Sequence, residues 1–347
     1  MEKKKELTPK SYYRVSEFQN EVLESRNIVF EGGYDIGFES AKPYLSLKKG
    51  FTSFLYSHPF MGKTSFVFDI YMYIARKYGA VFAIYSPEAG GRNYLVSYLV
   101  QVYLGKKLHG AFKQEATDEE WMEALAFIDK HFILLAPKVV GKDKIRFTTE
   151  EMFSQIFRAA KEYGEPIDIL LIDPHNMVAK DDEERKKQIA DYILENLYYI
   201  NHVADSMNMH IQICMHLQGE DLITDKDTGV EYMGKPHPSK IANGMNVWRT
   251  AQTMFGLWRC PEGVMERSVG TPYPANATDF LVQKNKVFGA GDTGAFRLYY
   301  DVPAQKFYEI IGGIKYYCGE YEAQNTSTSS AIQPNYNWDD DSTNIFV

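Results

Sequence analysis

Ser57-His58-Pro59-Phe60-Met61-Gly62-Lys63-Thr64-Ser65 lies between an apolar strand pattern at 51–57 and an apolar helical pattern at 62–78. It matches the phosphate-binding loop GxxxxGK[ST] at every fixed position but the first, where Ser57 stands for Gly. Each residue type has a physical reason. Gly62 lets backbone approach a phosphate, and the N–H groups at the helix start point at the anion. Lys63 reaches the β- and γ-phosphates, and the Thr64 hydroxyl is an oxygen ligand for Mg2+. A strand, turn and helix with a chance Gly-Lys-Thr is the competing explanation. The flanking strand and helix favour the nucleotide, so the whole run 57–65 is a candidate ATP-binding segment.

Outward from the loop the same alternation continues. Strands are predicted at 80–86, 131–136, 167–173 and 209–216, and helices at 93–103, 119–130, 150–163 and 183–207. Strand alternating with helix predicts an α/β fold, a mostly parallel sheet with helices on both faces. Three of these strands end in residues able to do chemistry. Ile169-Leu170-Leu171-Ile172 runs into Asp173, a carboxylate placed to support Mg2+, and Pro174 rather than an acid follows it. The general base must then come from elsewhere, and Glu88, just beyond the strand at 80–86, is the candidate. His216 ends the next strand and could sense the γ-phosphate. Ligands in open α/β sheets sit beyond the carboxyl ends of strands, the edge shared by Ser57, Glu88, Asp173 and His216. A helix-start acid and a structural histidine are the plainer readings of Glu88 and His216.

Residues 217–247 are polar and rich in Gly, Lys and Pro, and read as a long loop whose Lys226, Lys235 and Lys240 could grip a nucleic-acid backbone. Strands at 251–258, 278–284 and 295–301 follow, the last two joined by the glycine-rich turn at 288–294. Gln283-Lys284-Asn285-Lys286 closes the first arm of this hairpin. Strand alternation turns both lysines to one side, free to reach a neighbouring subunit's phosphate, or else guarding an edge strand.

The 347 residues are 45% apolar and 24% charged, ordinary values for a soluble globular protein. No apolar run is long enough to span a membrane. Met1-Glu2-Lys3-Lys4-Lys5-Glu6 lacks a signal-peptide core, and three scattered cysteines fit a reducing, cytoplasmic setting. The net charge of −8 gathers at the carboxyl end, where residues 319–347 hold five acids and no Lys or Arg. We therefore expect an arm or linker at 1–45, one ATPase domain at 46–318 and a disordered acidic tail at 319–347.

His58-Pro59-Phe60-Met61-Gly62-Lys63-Thr64, Tyr85-Ser86-Pro87-Glu88, Leu170-Leu171-Ile172-Asp173, Cys214-Met215-His216-Leu217 and Lys284-Asn285-Lys286 occur in an order and spacing that resemble the RecA-fold motor of replicative hexameric helicases. This is the DnaB-like and Twinkle-like family, which includes phage primase–helicases. The likeness spans about residues 45–310. It implies a homo-oligomeric ring of six, ATP and Mg2+ at subunit interfaces, and single-stranded DNA through the centre. Carried over residue by residue, Lys63 and Thr64 bind phosphate and Mg2+, Glu88 is the base and Asp173 supports Mg2+. His216 is the switch, Lys284 and Lys286 act in trans, and the 217–247 loop meets DNA. The chain departs from the family in carrying Lys286 for its usual arginine, with Arg259 as an alternative cation. It also has Asn243-Gly244 and Gln252 where the family has a Gly-Ser pair and an Asp. The acidic tail resembles partner-docking tails of replication proteins. Two other classes share the loop and the strand-end Glu: a RecA-like recombinase or regulatory ATPase, and an ATP-binding replication scaffold.

Overall fold

A computed structural model describes residues 12–25, 31–136, 139–140, 143–144, 146–181, 184–219, 222–241 and 244–325. The chain divides into two compact units, Met1–Glu31 and Gly32–Val347. The first carries a 3-10 turn, Val15–Glu17, and a short helix, Gln19–Ser25, with Phe18, Val22 and Leu23 exposed.

The second unit is built on one ten-stranded sheet. In chain order its strands are β1 (Thr52–Ser57), β2 (Phe82–Tyr85), β3 (Phe132–Leu134), β4 (Ile169–Ile172), β5 (His210–His216), β6 (Thr253–Arg259), β7 (Ala277–Asn285), β8 (Gly294–Asp301), β9 (Lys306–Ile311) and β10 (Ile314–Tyr317). In space they run β10-β9-β8-β7-β6-β1-β5-β4-β2-β3. From β6 to β3 every pairing is parallel, and from β6 to β10 every pairing is antiparallel. The expected mostly parallel α/β sheet is therefore observed, with an antiparallel meander added at one edge. The strands at 306–311 and 314–317 go beyond the sequence reading.

Alternate residues along the central strands enter two cores. Leu55, Ile84, Leu171 and Cys214 face α1 (Lys63–Tyr78), α2 (Arg92–Leu104) and α3 (Asp118–His131). Phe54, Tyr56, Ala83, Ile172 and Ile213 face α4 (Thr149–Tyr163), α5 (Ile189–Ser206) and α6 (Gly244–Thr250). Period-two strands clothed on both sides explain why they read as continuous apolar runs. Local chemistry sets the helix ends. Thr117 with Glu120, and Thr148 with Glu151, form capping boxes that satisfy the first N–H groups of α3 and α4.

Four expectations are corrected. Ile36, Phe38, Ala41, Leu45 and Leu47, assigned above to an arm, are buried in the α1 core. Their segment is clamped by the 288–294 turn: Ser46 N donates to Ala290 O at 2.9 Å and Asp292 N to Pro43 O at 2.8 Å. Gly291, at φ 111°, has no room for a side chain, since a Cβ would lie 2.4 Å from the Tyr44 carbonyl carbon. The helix expected from 183 begins at Ile189, after a 3-10 turn at Glu184–Lys186; residue 183 lies outside the described residues.

The 217–247 segment is not a plain loop. It holds an antiparallel ribbon, Leu222–Thr224 with Glu231–Met233, a 3-10 turn at Pro238–Lys240 and the start of α6. At the carboxyl end, α7 (Glu320–Asn325) is helical because Glu322 is anchored by Lys77 at 2.6 Å and Tyr73 at 3.0 Å. The rest of the acidic tail, 326–347, lies outside the described residues. Among the described residues no helix is long and apolar enough to cross a membrane.

Candidate nucleotide site

Strand order is what assembles the site. β1, β5, β4 and β2 are neighbours, so their carboxyl ends bring Ser57, His216, Asp173 and Glu88 to one edge. Register aligns them: Ser57 pairs with His216, and Ile172 with both Ile213 and Tyr85. The loop then turns through Phe60 at φ 60° and Gly62 at φ 101° into α1. Pro59 and Phe60 project outward, Phe60 being 99% exposed, while Met61 packs on the core. The backbone N–H groups at the start of α1 lie beside this turn, the arrangement that favours an anion.

Lys63 is only 5% exposed and makes three contacts. Its ammonium donates to Ser57 Oγ at 3.0 Å, to His216 Nδ1 at 3.3 Å and to His58 O at 3.5 Å. Because Lys63 can only donate, His216 Nδ1 is the acceptor, which puts the imidazole proton on Nε2. Nε2 then donates to Glu88 Oε2 at 3.4 Å. A single polar chain therefore runs Ser57, Lys63, His216, Glu88 across the mouth of three strands. Beside it, Thr64 Oγ1 donates to Asp173 Oδ2 at 2.9 Å.

The electrostatics follow from burial. Desolvation pushes the Lys63 ammonium below its ordinary pKa, opposed by Asp173 and Glu88 among others. Desolvation likewise pushes Asp173 up, against the Thr64 hydrogen bond and the Lys63 charge. Cys214, one residue beyond the Ile172–Ile213 pair, sits beside Asp173, and burial raises its thiol well above the usual range. The sequence reading missed this neighbour; the alternation along 211–216, which puts Cys214 in the α1 core, was its available signal.

Thr64 and Asp173 offer a hydroxyl and a carboxylate within hydrogen-bond distance of each other. That oxygen pair suits Mg2+, a hard ion that takes one or two protein oxygens together with substrate phosphates. Ser65, by contrast, turns away and bonds the Tyr98 hydroxyl at 2.6 Å.

The lysines expected to act outward separate into two groups. Lys284 is 7% exposed, hydrogen-bonded to the Trp248 carbonyl and set over the Trp248 ring at 5.3 Å. The cause is a β-bulge. The β6–β7 register slips between Met254 and Phe255, leaving Gln283 as the extra residue and turning Lys284 towards α6. Burial, with Lys286 nearby, pushes the Lys284 ammonium down to about 8. Lys284 is thus withdrawn from the role expected for it, while Lys286, past the end of β7, is exposed.

Lys226, Lys235 and Lys240 are all exposed but sit on three different features. Lys226 is on the ribbon's turn, and Lys240 ends the 3-10 turn. Lys235 lies 5.5 Å from the Trp258 ring, whose Nε1 donates to Met233 O at 2.7 Å. A pocket of about 190 Å3 between this segment and β7, lined by His237, Pro238, Trp248 and Gln283 among others, includes none of the phosphate-loop residues.

No family model matches the chain, and no curated protein matches it. Solved structures do. One, an isolated helicase ATPase domain, aligns with a TM-score of 0.62 at 16% identity, covering 86% of this chain and 99% of that one. A DnaB-like replicative helicase, described with its interactions with primase, aligns with a TM-score of 0.61 at 15% identity, covering 87% of this chain and 68% of that one. At such identities the likeness speaks for the fold, and the chain has the RecA-like fold of the ATPase domains of DnaB-like replicative helicases.

Proposed function

We propose that the chain is an ATP-driven motor that moves along single-stranded DNA as a ring of like subunits in replication. The observation that carries this reading is the chain from Lys63 through His216 to Glu88, with the Thr64–Asp173 pair beside it. In this mechanism the N–H groups at the start of α1 and the Lys63 ammonium hold the β- and γ-phosphates of ATP. Thr64 and Asp173 hold Mg2+, which neutralises charge on the transferring phosphoryl group. Glu88, exposed and hydrogen-bonded to His216, takes the proton of the attacking water.

His216 touches both the phosphate-binding lysine and the base, so it registers where Lys63 is. The residue after it, Leu217, bridges to Ile241, and Gln218 N donates to Lys240 O at 2.6 Å. A shift of His216 therefore reaches the 217–247 segment, whose Lys226, Lys235 and Lys240 take the DNA backbone. Lys286 of a neighbouring subunit would supply the charge at the γ-phosphate, and the acidic tail a docking point for a replication partner. Such a protein works in the cytoplasm of a bacterium or phage-infected cell.

The test is steady-state hydrolysis of Mg-ATP with and without single-stranded DNA, for the parent and for Lys63→Ala. DNA-stimulated turnover that is lost in the variant supports the motor. Turnover indifferent to DNA replaces it with a regulatory ATPase, and tight ATP binding without turnover replaces it with a scaffold.

A further inference from the structure

Ser57 stands where the phosphate-loop pattern calls for glycine, and its hydroxyl has a definite partner. Its proton goes to His58 O at 2.7 Å, so its lone pairs are left for the Lys63 ammonium at 3.0 Å. A lysine has three N–H donors and no acceptor. Here all three have acceptors: Ser57 Oγ, His58 O and His216 Nδ1. Ser57 is fully buried and Lys63 nearly so, which leaves water little part in solvating the charge.

We infer that Ser57 is an internal competitor for phosphate, satisfying Lys63 in the nucleotide-free protein and thereby weakening the grip on nucleotide. The inference rests on the nucleotide reading of the loop. For Lys63 to bind a β- or γ-phosphate it must surrender at least one of its three acceptors. The closest is the hydroxyl that a glycine would not supply. Removing that hydroxyl leaves a buried cation one acceptor short before nucleotide binds, a costly condition that phosphate relieves. The nucleotide-bound protein loses much less, because its lysine is held by phosphate oxygens. Ser57 thus favours release of di- and triphosphates.

The experiment is titration calorimetry of the full chain with Mg-ATP, Mg-ADP and AMP, for the parent, Ser57→Ala, Ser57→Gly and Lys63→Ala. We expect both Ser57 variants to bind Mg-ATP and Mg-ADP about tenfold more tightly, a size set by the loss of one hydrogen bond to a charged group. AMP, which has no β-phosphate, should bind them as it binds the parent. Unchanged or weaker Mg-ATP binding in both variants overturns the inference and places the hydroxyl on the nucleotide's side. Tighter AMP binding of the same size also overturns it, because the effect would then not pass through Lys63. If Lys63→Ala binds Mg-ATP as the parent does, the nucleotide reading itself fails. A Lys63-dependent affinity with no response to Ser57 sinks the competitor role alone.

Discussion

Asp69 offers a sharp test of how α1 is held. It lies on the helix that begins with Lys63 and Thr64, is 3% exposed, and accepts a hydrogen bond from Phe307 N at 2.6 Å. It thus ties the phosphate-loop helix to β9 beside the cluster in which the Phe66 ring meets Phe280 at 4.3 Å and Phe307 at 5.7 Å. Burial pushes its carboxyl up to about 7, against the Phe307 N–H, Lys306 and Arg76, from an ordinary value of 3.8. The folded chain therefore keeps a proton that the unfolded chain has already lost. Stability is greatest with both states protonated, below about pH 4, and declines as pH rises through the interval up to about 7.

Integrated over that interval the loss is roughly 4 kcal/mol, of which about 2.5 kcal/mol falls between pH 5 and pH 8. Asp69→Asn keeps an acceptor for Phe307 N–H but cannot ionise. Measured by thermal and urea unfolding at pH 5, 6, 7 and 8, the variant should gain on the parent by about 2.5 kcal/mol across the series. A difference that stays constant with pH would show that Asp69 does not titrate in this window and would refute the burial argument.

Three further outcomes are expected. Glu88→Gln should bind Mg-ATP within about threefold of the parent yet lose about 10²–10⁴ in turnover, the usual worth of a general base; near-parent turnover removes Glu88 from the mechanism. Arg297 is held between Glu266 at 2.7 Å and Asp279 at 2.6 Å, all three largely buried. Arg297→Met should therefore cost about 3–5 kcal/mol by denaturant unfolding, with much of it recovered when Glu266→Gln and Asp279→Asn are added; a loss under about 1 kcal/mol contradicts the buried network. Lys286→Ala should cut DNA-stimulated hydrolysis by about 10³ or more if it serves a neighbour's site, as an arginine finger does. Lys284→Met, whose parent side chain is turned to Trp248, should change hydrolysis little, and an equal loss in both would restore Lys284 to the outward role.

The loop at 57–65, the alternation of strand and helix, and the strand ends at Glu88, Asp173 and His216 were all legible in the chain. Each is a short-range property: a residue pattern within about ten positions, or a period of two or 3.6. The contacts that make a site of them are long-range. Lys63 meets His216 across 153 positions, and Thr64 meets Asp173 across 109. β1 and β2 are consecutive in the chain, yet β5 and β4 lie between them in the sheet. Only that order lets one histidine touch both a lysine and a carboxylate.

The remaining surprises share this cause. The bulge at Gln283 arises from pairing with β6, and it redirects Lys284 against the simple alternation of its own strand. Residues 34–47 have mixed local character and become core because the distant 288–294 turn closes over them. Propensity and hydrophobic period are written residue by residue, so they specified the elements and the chemistry at their ends. Strand order, register and desolvation depend on which remote segments pack together, so the folded chain alone settled which of those groups meet and which charges lose their water.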